Sequence, residues 1–339
     1  MANEETERFG VLFSGNFPLM RAIEGSVLAD RLGYDSAWFG EDYFYQGGIA
    51  TATAVAERTT NVDIGLGILS PLARHPALTV METAALDHIA DGRVILGYGA
   101  GVRYWMEQMN LDYSSPLSAL RESVEISREL FAGKTSNHDG RYYQLRNVKL
   151  GFHSLRTSMP IYLGVEGPRM LALSGEIADG TILSVLASPA YVRYAWEHVK
   201  EGCAISRREP DVHKMVVYVI FAMDDDGSTA RDAVRATISE YLGAGGQPTP
   251  LTKLAGVPDR AMAEMGRIYR EEARFPVELV DDDIVSKVAV AGTPDECAAG
   301  VRALIEAGAD EIVFFPMPAS ATEELVDQIA ADLIPRFRN

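Results

Sequence analysis

The chain has 339 residues, 47% of them hydrophobic, and 31 basic against 48 acidic side chains give a net charge of −17. That length suits two average domains or one α/β barrel, and the apolar share is enough for a large core. The acidic balance, without any Lys/Arg cluster, excludes a nucleic-acid-binding face, and no apolar run approaches the roughly eighteen residues of a spanning helix. Cys203 and Cys297 lack close spacing, so neither a disulfide framework nor a cysteine zinc site is expected, and the polar, acidic Met1–Arg8 is no secretory signal. The expectation is a cytoplasmic protein with a small-molecule partner, whose anionic ligands must be drawn by local groups against an unfavourable overall field.

In chain order, eight short, β-rich apolar runs read as strands buried on both faces: Phe9–Phe13, Ser36–Gly40, Val62–Leu69, Val94–Gly99, Ile161–Val165, Thr181–Leu186, Met215–Phe221 and Glu311–Phe315. Amphipathic stretches lie between them, among them Leu19–Leu32, Ala77–Ile89, Leu117–Phe131, Pro168–Ala178 and Pro189–Gly202. Eight strand–helix units predict a (β/α)8 TIM barrel, since a doubly wound sheet usually stops at about five to seven strands. Gly140–Leu150, with Tyr142, Tyr143, Leu145 and Val148 alternating, predicts a short hairpin between strands four and five. The long spacing between strands seven and eight predicts an insertion at about 243–288 within a single domain spanning 1–339, placed to cap the active-site end or to serve assembly. In the last unit Thr293 is the expected N-cap, with Pro294 at the first helical position.

In such a barrel the chemistry belongs to residues just past the C-terminal ends of the strands. These include Ser14 to Asn16, Glu41 to Tyr45, Ser70 to His75, Gly99 to Trp105 and Glu166 to Arg169. Glycines inside strand three (Gly65, Gly67) and strand four (Gly97, Gly99, Gly101) serve either relief of barrel packing or close approach of a flat ligand. The helix beginning at Pro168, after Gly167 and beside Arg169, offers bare amides and a guanidinium to a phosphate. His75, before Pro76, is either a hydrogen-bonded structural residue or a base. Tyr43, Tyr45 and Trp105 serve as substrate walls or as core. The histidines show no metal-ligand pairing, so no metal is expected.

The runs Ala37–Phe44, Arg74–Pro76, Gly92–Gly101, Gly167–Leu171, Gly175–Gly180 and Ala291–Glu296 resemble the luciferase-like monooxygenase superfamily over nearly the whole chain. The resemblance is strongest to the branch of methylenetetrahydromethanopterin reductases and other enzymes of the deazaflavin coenzyme F420. It implies a hydride-transferring oxidoreductase with a non-proline cis peptide at Gly67–Ile68 forming a bulge behind the ring. Asp42 would contact the ring system. Ala100, Gly101 and Val165 would complete the cofactor wall, with Glu166, Gly167, Pro168 and Arg169 at the phosphate. Tyr43 and His75 would be the catalytic candidates, Tyr45 and Trp105 would meet substrate, and a homodimer is expected by analogy. The chain departs from the branch at Leu12, Tyr43 and Val102, where reductases or sugar-phosphate dehydrogenases carry glutamate, histidine and glutamate. Alternatives are an FMN-dependent monooxygenase and a non-catalytic flavin-binding barrel.

Overall fold

The computed structural model describes residues 7–338; Met1–Thr6, part of the N-terminal stretch read above, lie outside the described residues. Among the described residues eleven strands occur: β1 (Arg8–Phe13), β2 (Ser36–Phe39), β3 (Asp63–Leu69), β4 (Val94–Gly99), β5 (Ser136–Asp139), β6 (Gln144–Val148), β7 (Ile161–Gly164), β8 (Gly180–Leu183), β9 (Lys214–Met223), β10 (Val290–Gly292) and β11 (Glu311–Pro316). Eight of them close a parallel barrel in the order β11-β1-β2-β3-β4-β7-β8-β9, with β9 returning to β11. Each expected apolar run forms one barrel strand, because strands covered by helices outside and filled inside have no polar face to interrupt them.

Three details differ from expectation. The hairpin pairs β6 with Ser136–Asp139, and Gly140 to Tyr143 form the turn; the first arm is polar and carries no apolar alternation. Strand β8 ends at Leu183, and Leu186 makes only an isolated antiparallel bridge to Val219. The three-residue β10 extends the sheet beside the end of β9. The segment after β9 is helical: Gly227–Gly245, Pro250–Ala255, Asp259–Glu272 and Asp282–Val288. Thr293 caps its helix, with Glu296 returning a bond to the Thr293 amide at 2.8 Å.

The barrel interior is filled by an aromatic layer. Trp38 is fully buried, lies edge-on to Tyr218 at 5.8 Å, and is tilted against Tyr162 at 6.2 Å. Below it, toward the N-terminal rim, the Trp38 indole donates to Ser36 at 2.9 Å and to the buried Glu311 carboxylate at 3.1 Å, while Arg8 reaches both Glu311 and Asp63. The rings leave no room on β3: a methyl at Gly65 would overlap Trp38, and one at Gly67 would overlap the Tyr218 hydroxyl. The strand-three glycines are therefore required by packing inside the barrel. Substituting Gly67→Ala is expected to destabilise the protein by about 1–3 kcal/mol in urea unfolding. Adding Tyr218→Phe, which removes the overlapping oxygen, should recover much of that loss; an equally unstable double variant would contradict the packing account.

Candidate active site at the C-terminal rim

Two large cavities open at opposite ends of the barrel. The larger, about 1530 Å³, lies at the N-terminal rim, and its charges largely satisfy one another: Arg8 with Asp63 and Glu311, Arg338 with Asp35, and Lys214 with Asp310. The smaller, about 470 Å³, lies at the C-terminal rim and is lined from around the barrel, by Leu12 on β1 and Ser14 after it, Glu41 to Tyr43 after β2, Gly67 and Ile68 on β3 with Ser70 after it, and Ala100, Gly101, Val102 and Trp105 after β4. Tyr113, Gly164 to Glu166, Met170, Ile182, Ser184, Val185, Tyr218 and Tyr241 also line it. Size favours the first cavity, but the chemistry favours the second. The oxygens of Glu41 (Oε2), Tyr43 and Tyr218 there are buried without a hydrogen-bond partner, and a buried polar atom left unpaired asks for a ligand or ordered water.

The wall is built from strand ends. The Gly67–Ile68 peptide is cis, and the β3–β4 register shifts between Leu66 and Leu69. Ile68 lies over Gly99 and Gly164, where any side chain would collide with it. Ser70 ties this bulge to the next strand by donating to the Ala100 carbonyl at 3.0 Å. Gly101 adopts φ +73°, and a methyl there would come within 2.6 Å of the Met106 terminus, so both conformation and space demand glycine. The short helix Arg103–Gln108 then presents Trp105 edge-on to Tyr43 at 6.1 Å.

The carboxyl groups here are held in poor solvent. Asp42 accepts from the Gly15 amide at 2.8 Å, yet burial raises its pKa above the usual carboxylate range, against the opposing pull of that amide. Burial also raises Glu41, offset by Arg74, whose guanidinium sits 3.2 Å away and is shared with Glu82 at 2.5 Å. Tyr43 is pushed up to about 12 by burial and by the charge of Glu41; its hydroxyl faces Ser70 without a well-formed hydrogen bond. Glu166 reaches solvent at the mouth of the cavity, but desolvation by the surrounding walls still raises its carboxyl.

The cavity brings together Asp42, Tyr43, Gly67, Ile68, Ala100, Gly101, Trp105, Val165 and Glu166 from the sequence-based set. The other members sit elsewhere. Gly167, at φ +77°, and Pro168 start the helix Pro168–Ile177, with Arg169 exposed on its first turn, just beyond the cavity mouth. Tyr45 is 58% exposed and outside the wall. His75 is also outside it, because the residue caps the helix Pro76–Ile89: its Nδ1 accepts from the Ala77 amide at 3.2 Å, leaving the ring exposed and edge-on to Tyr143. Conversely, Tyr113, Tyr218 and Tyr241 line the cavity unannounced. Tyr218 is one tyrosine in an apolar strand, and Tyr241 comes from the helix Gly227–Gly245, where nothing in the sequence marks a residue that folds back over the rim.

The luciferase-like monooxygenase family model matches residues 5–311. The chain belongs to the luciferase-like monooxygenase family. Within that family the chain is similar to the 5,10-methylenetetrahydromethanopterin reductase of Archaeoglobus fulgidus, 28% identical over 98% of this chain and 100% of the relative. An F420-dependent glucose-6-phosphate dehydrogenase of Amycolatopsis mediterranei is 28% identical over 93% of this chain and 94% of the relative. Among solved structures, the coenzyme F420-dependent tetrahydromethanopterin reductase of Methanopyrus kandleri superposes with a TM-score of 0.90, at 24% identity, covering 98% of this chain and all of the other; it shows the shared fold.

The buried Asp42 gives this luciferase-like barrel a pH signature. Its folded pKa lies above the unfolded one, so its contribution is fully present below the unfolded value and is lost as pH rises through the folded value. Asp42→Asn keeps an acceptor for Gly15 and avoids that loss. Urea unfolding of the ligand-free protein should show no gain at about pH 3 and a gain of about 1 kcal/mol at neutral pH. A variant less stable at neutral pH, or a pH-independent difference, would contradict the desolvated carboxylate.

Proposed function

We propose that the chain is an F420-dependent oxidoreductase that moves a hydride between the deazaflavin and a small or medium organic substrate. The observation that carries this reading is a C-terminal cavity with a bulged wall at Gly67–Ile68 and buried, unpartnered oxygens on Glu41, Tyr43 and Tyr218. A volume of about 470 Å³ falls within the ordinary range of ligand sites. The named F420 activities of the relatives supply the cofactor.

F420, when bound, supplies a two-electron carrier that accepts or releases a hydride. Asp42 and the Gly67–Ile68 bulge would hold the ring, with Ala100, Gly101 and Val165 as its walls. Glu166 to Arg169 would receive the anionic tail. The helix opening at Pro168 has no acidic residue in its first turn, and Arg169 stands on that turn, which suits a phosphate outside the cavity. Trp105 fixes the Tyr43 ring, and Tyr43 holds the proton that must move with the hydride, since Leu12 and Val102 cannot carry one. The barrel walls exclude water, and the protein contributes position.

The same reading extends to the whole chain. It forms one domain, with residues of about 243–288 inserted before β10; Tyr241 in the cavity wall and the electrostatic influence of Asp42 on Glu240 support a capping role for the helix that leads into it. It works as a homodimer, for which Leu78, Met81 and Ile89, exposed on the helix Pro76–Ile89, offer an apolar face. It works in the cytoplasm, where the free, buried thiols of Cys203 and Cys297 remain reduced.

Fluorescence titration separates the cofactors: F420 should bind at least about tenfold more tightly than FMN, a difference of about 1.4 kcal/mol, and the reverse order would overturn the reading. Tyr43→Phe should slow oxidation of reduced F420 by 2-cyclohexen-1-one about 10²-fold while leaving F420 affinity within about twofold. An unchanged rate would remove Tyr43 from proton transfer.

A further inference from the structure

The charge of the cavity wall restricts what can share it with a cofactor. Among the described residues, its lining holds three carboxyl groups, those of Glu41, Asp42 and Glu166, and no lysine, arginine or histidine. The cations that border the wall at Glu41 and Tyr113 are already engaged. Arg74 divides itself between Glu41 and Glu82, and Arg103 lies over the Tyr113 ring at 4.4 Å with Glu107 beside it at 4.0 Å. At the positions that could have carried a charge toward the ligand stand Leu12, Tyr43 and Val102. The remaining polar equipment is neutral: Tyr218 is 6% exposed, and its unpartnered hydroxyl faces the cavity floor. Trp105 and Tyr113 add flat apolar surface near the mouth.

A phosphate or carboxylate entering this space meets like charge in a desolvated setting and finds no guanidinium or ammonium to pair with, which is costly. A neutral carbonyl or imine instead finds hydroxyl donors and ring faces. We infer that the substrate is uncharged at its reacting end and flanked by apolar or aromatic surface, and that phosphate esters and carboxylates are excluded. This inference rests on the proposed function and deepens it, because it names the substrate class of the same site. It also separates the chain from the sugar-phosphate chemistry named for one group of its relatives.

The test uses two probes that differ by one charge: benzylideneacetone, a neutral aryl enone, and its para-carboxylate. Binding is measured by equilibrium dialysis against the full chain, without cofactor and with oxidised F420, where no turnover occurs. The neutral enone should bind, and the carboxylate should bind at least about tenfold more weakly in both states. Val102→Lys places an ammonium at a half-exposed position of the wall and should close most of that gap with little change in thermal stability. Equal or tighter binding of the carboxylate overturns the inference, as does failure of the neutral enone to bind up to its solubility limit. The F420 titration is read separately. Loss of F420 binding defeats the functional reading, while the charge preference measured without cofactor still decides this one.

Discussion

The structure depends on the meeting of the Tyr218 hydroxyl with the bare main chain of Gly67, across the barrel from one strand to another. The barrel must be filled, and here large aromatic rings fill it, with Trp38 fully buried between Tyr162 and Tyr218. Rings of that size fit only if the facing strand gives up its side chains. Strand β3 therefore reads Gly65-Leu66-Gly67, its glycines turned inward toward the rings and Leu66 packed in the core. Below the rings, Ser36 and Glu311 accept from the indole N–H, and Arg8 pairs with Glu311. Above them, the same tyrosine becomes the floor of the cavity. One packing requirement thus sets the depth of the site and the glycine at the adjoining wall.

The electrostatics of the site follow from its position. The chain is acidic overall, and the cavity concentrates carboxyl groups that burial has made reluctant to ionise. Such groups are destabilising in the ligand-free fold, and natural sites commonly accept that cost for function. Asp42 keeps one hydrogen bond, from Gly15, and Glu41 keeps Arg74. Beyond the wall, Arg169 stands exposed on the first turn of the following helix. The division between a neutral or acidic interior and a cationic exit matches a cofactor whose ring enters and whose tail stays outside.

Much of this was legible in the sequence because buried parallel strands leave an unbroken apolar signal, and all eight barrel strands carried it. Strand ends then located Asp42, Gly101 and Trp105 without further information. The unreadable parts have physical reasons. Ser136–Asp139 pairs through its backbone with polar side chains, and Val290–Gly292 is too short to show a period. Tyr218 and Tyr241 reach the cavity through tertiary placement alone. His75 follows a strand end like the other candidates, but its Nδ1 caps the next helix and the residue lies outside the cavity wall. The glycines of β3 were readable as either packing relief or ligand approach, and the structure shows the first directly: the side chains of Trp38 and Tyr218 occupy the space.

The central claim is that this aromatic floor and the Gly67–Ile68 bulge together define where a deazaflavin ring lies. A crystal structure of the protein grown with F420 tests it most directly. The account predicts density for the ring across the C-terminal rim, packed on the Gly67–Ile68 bond, with Asp42 at its edge and the tail leaving past Gly167. Density in the N-terminal cavity, or a ring held away from the bulge by ordered side chains, would contradict it.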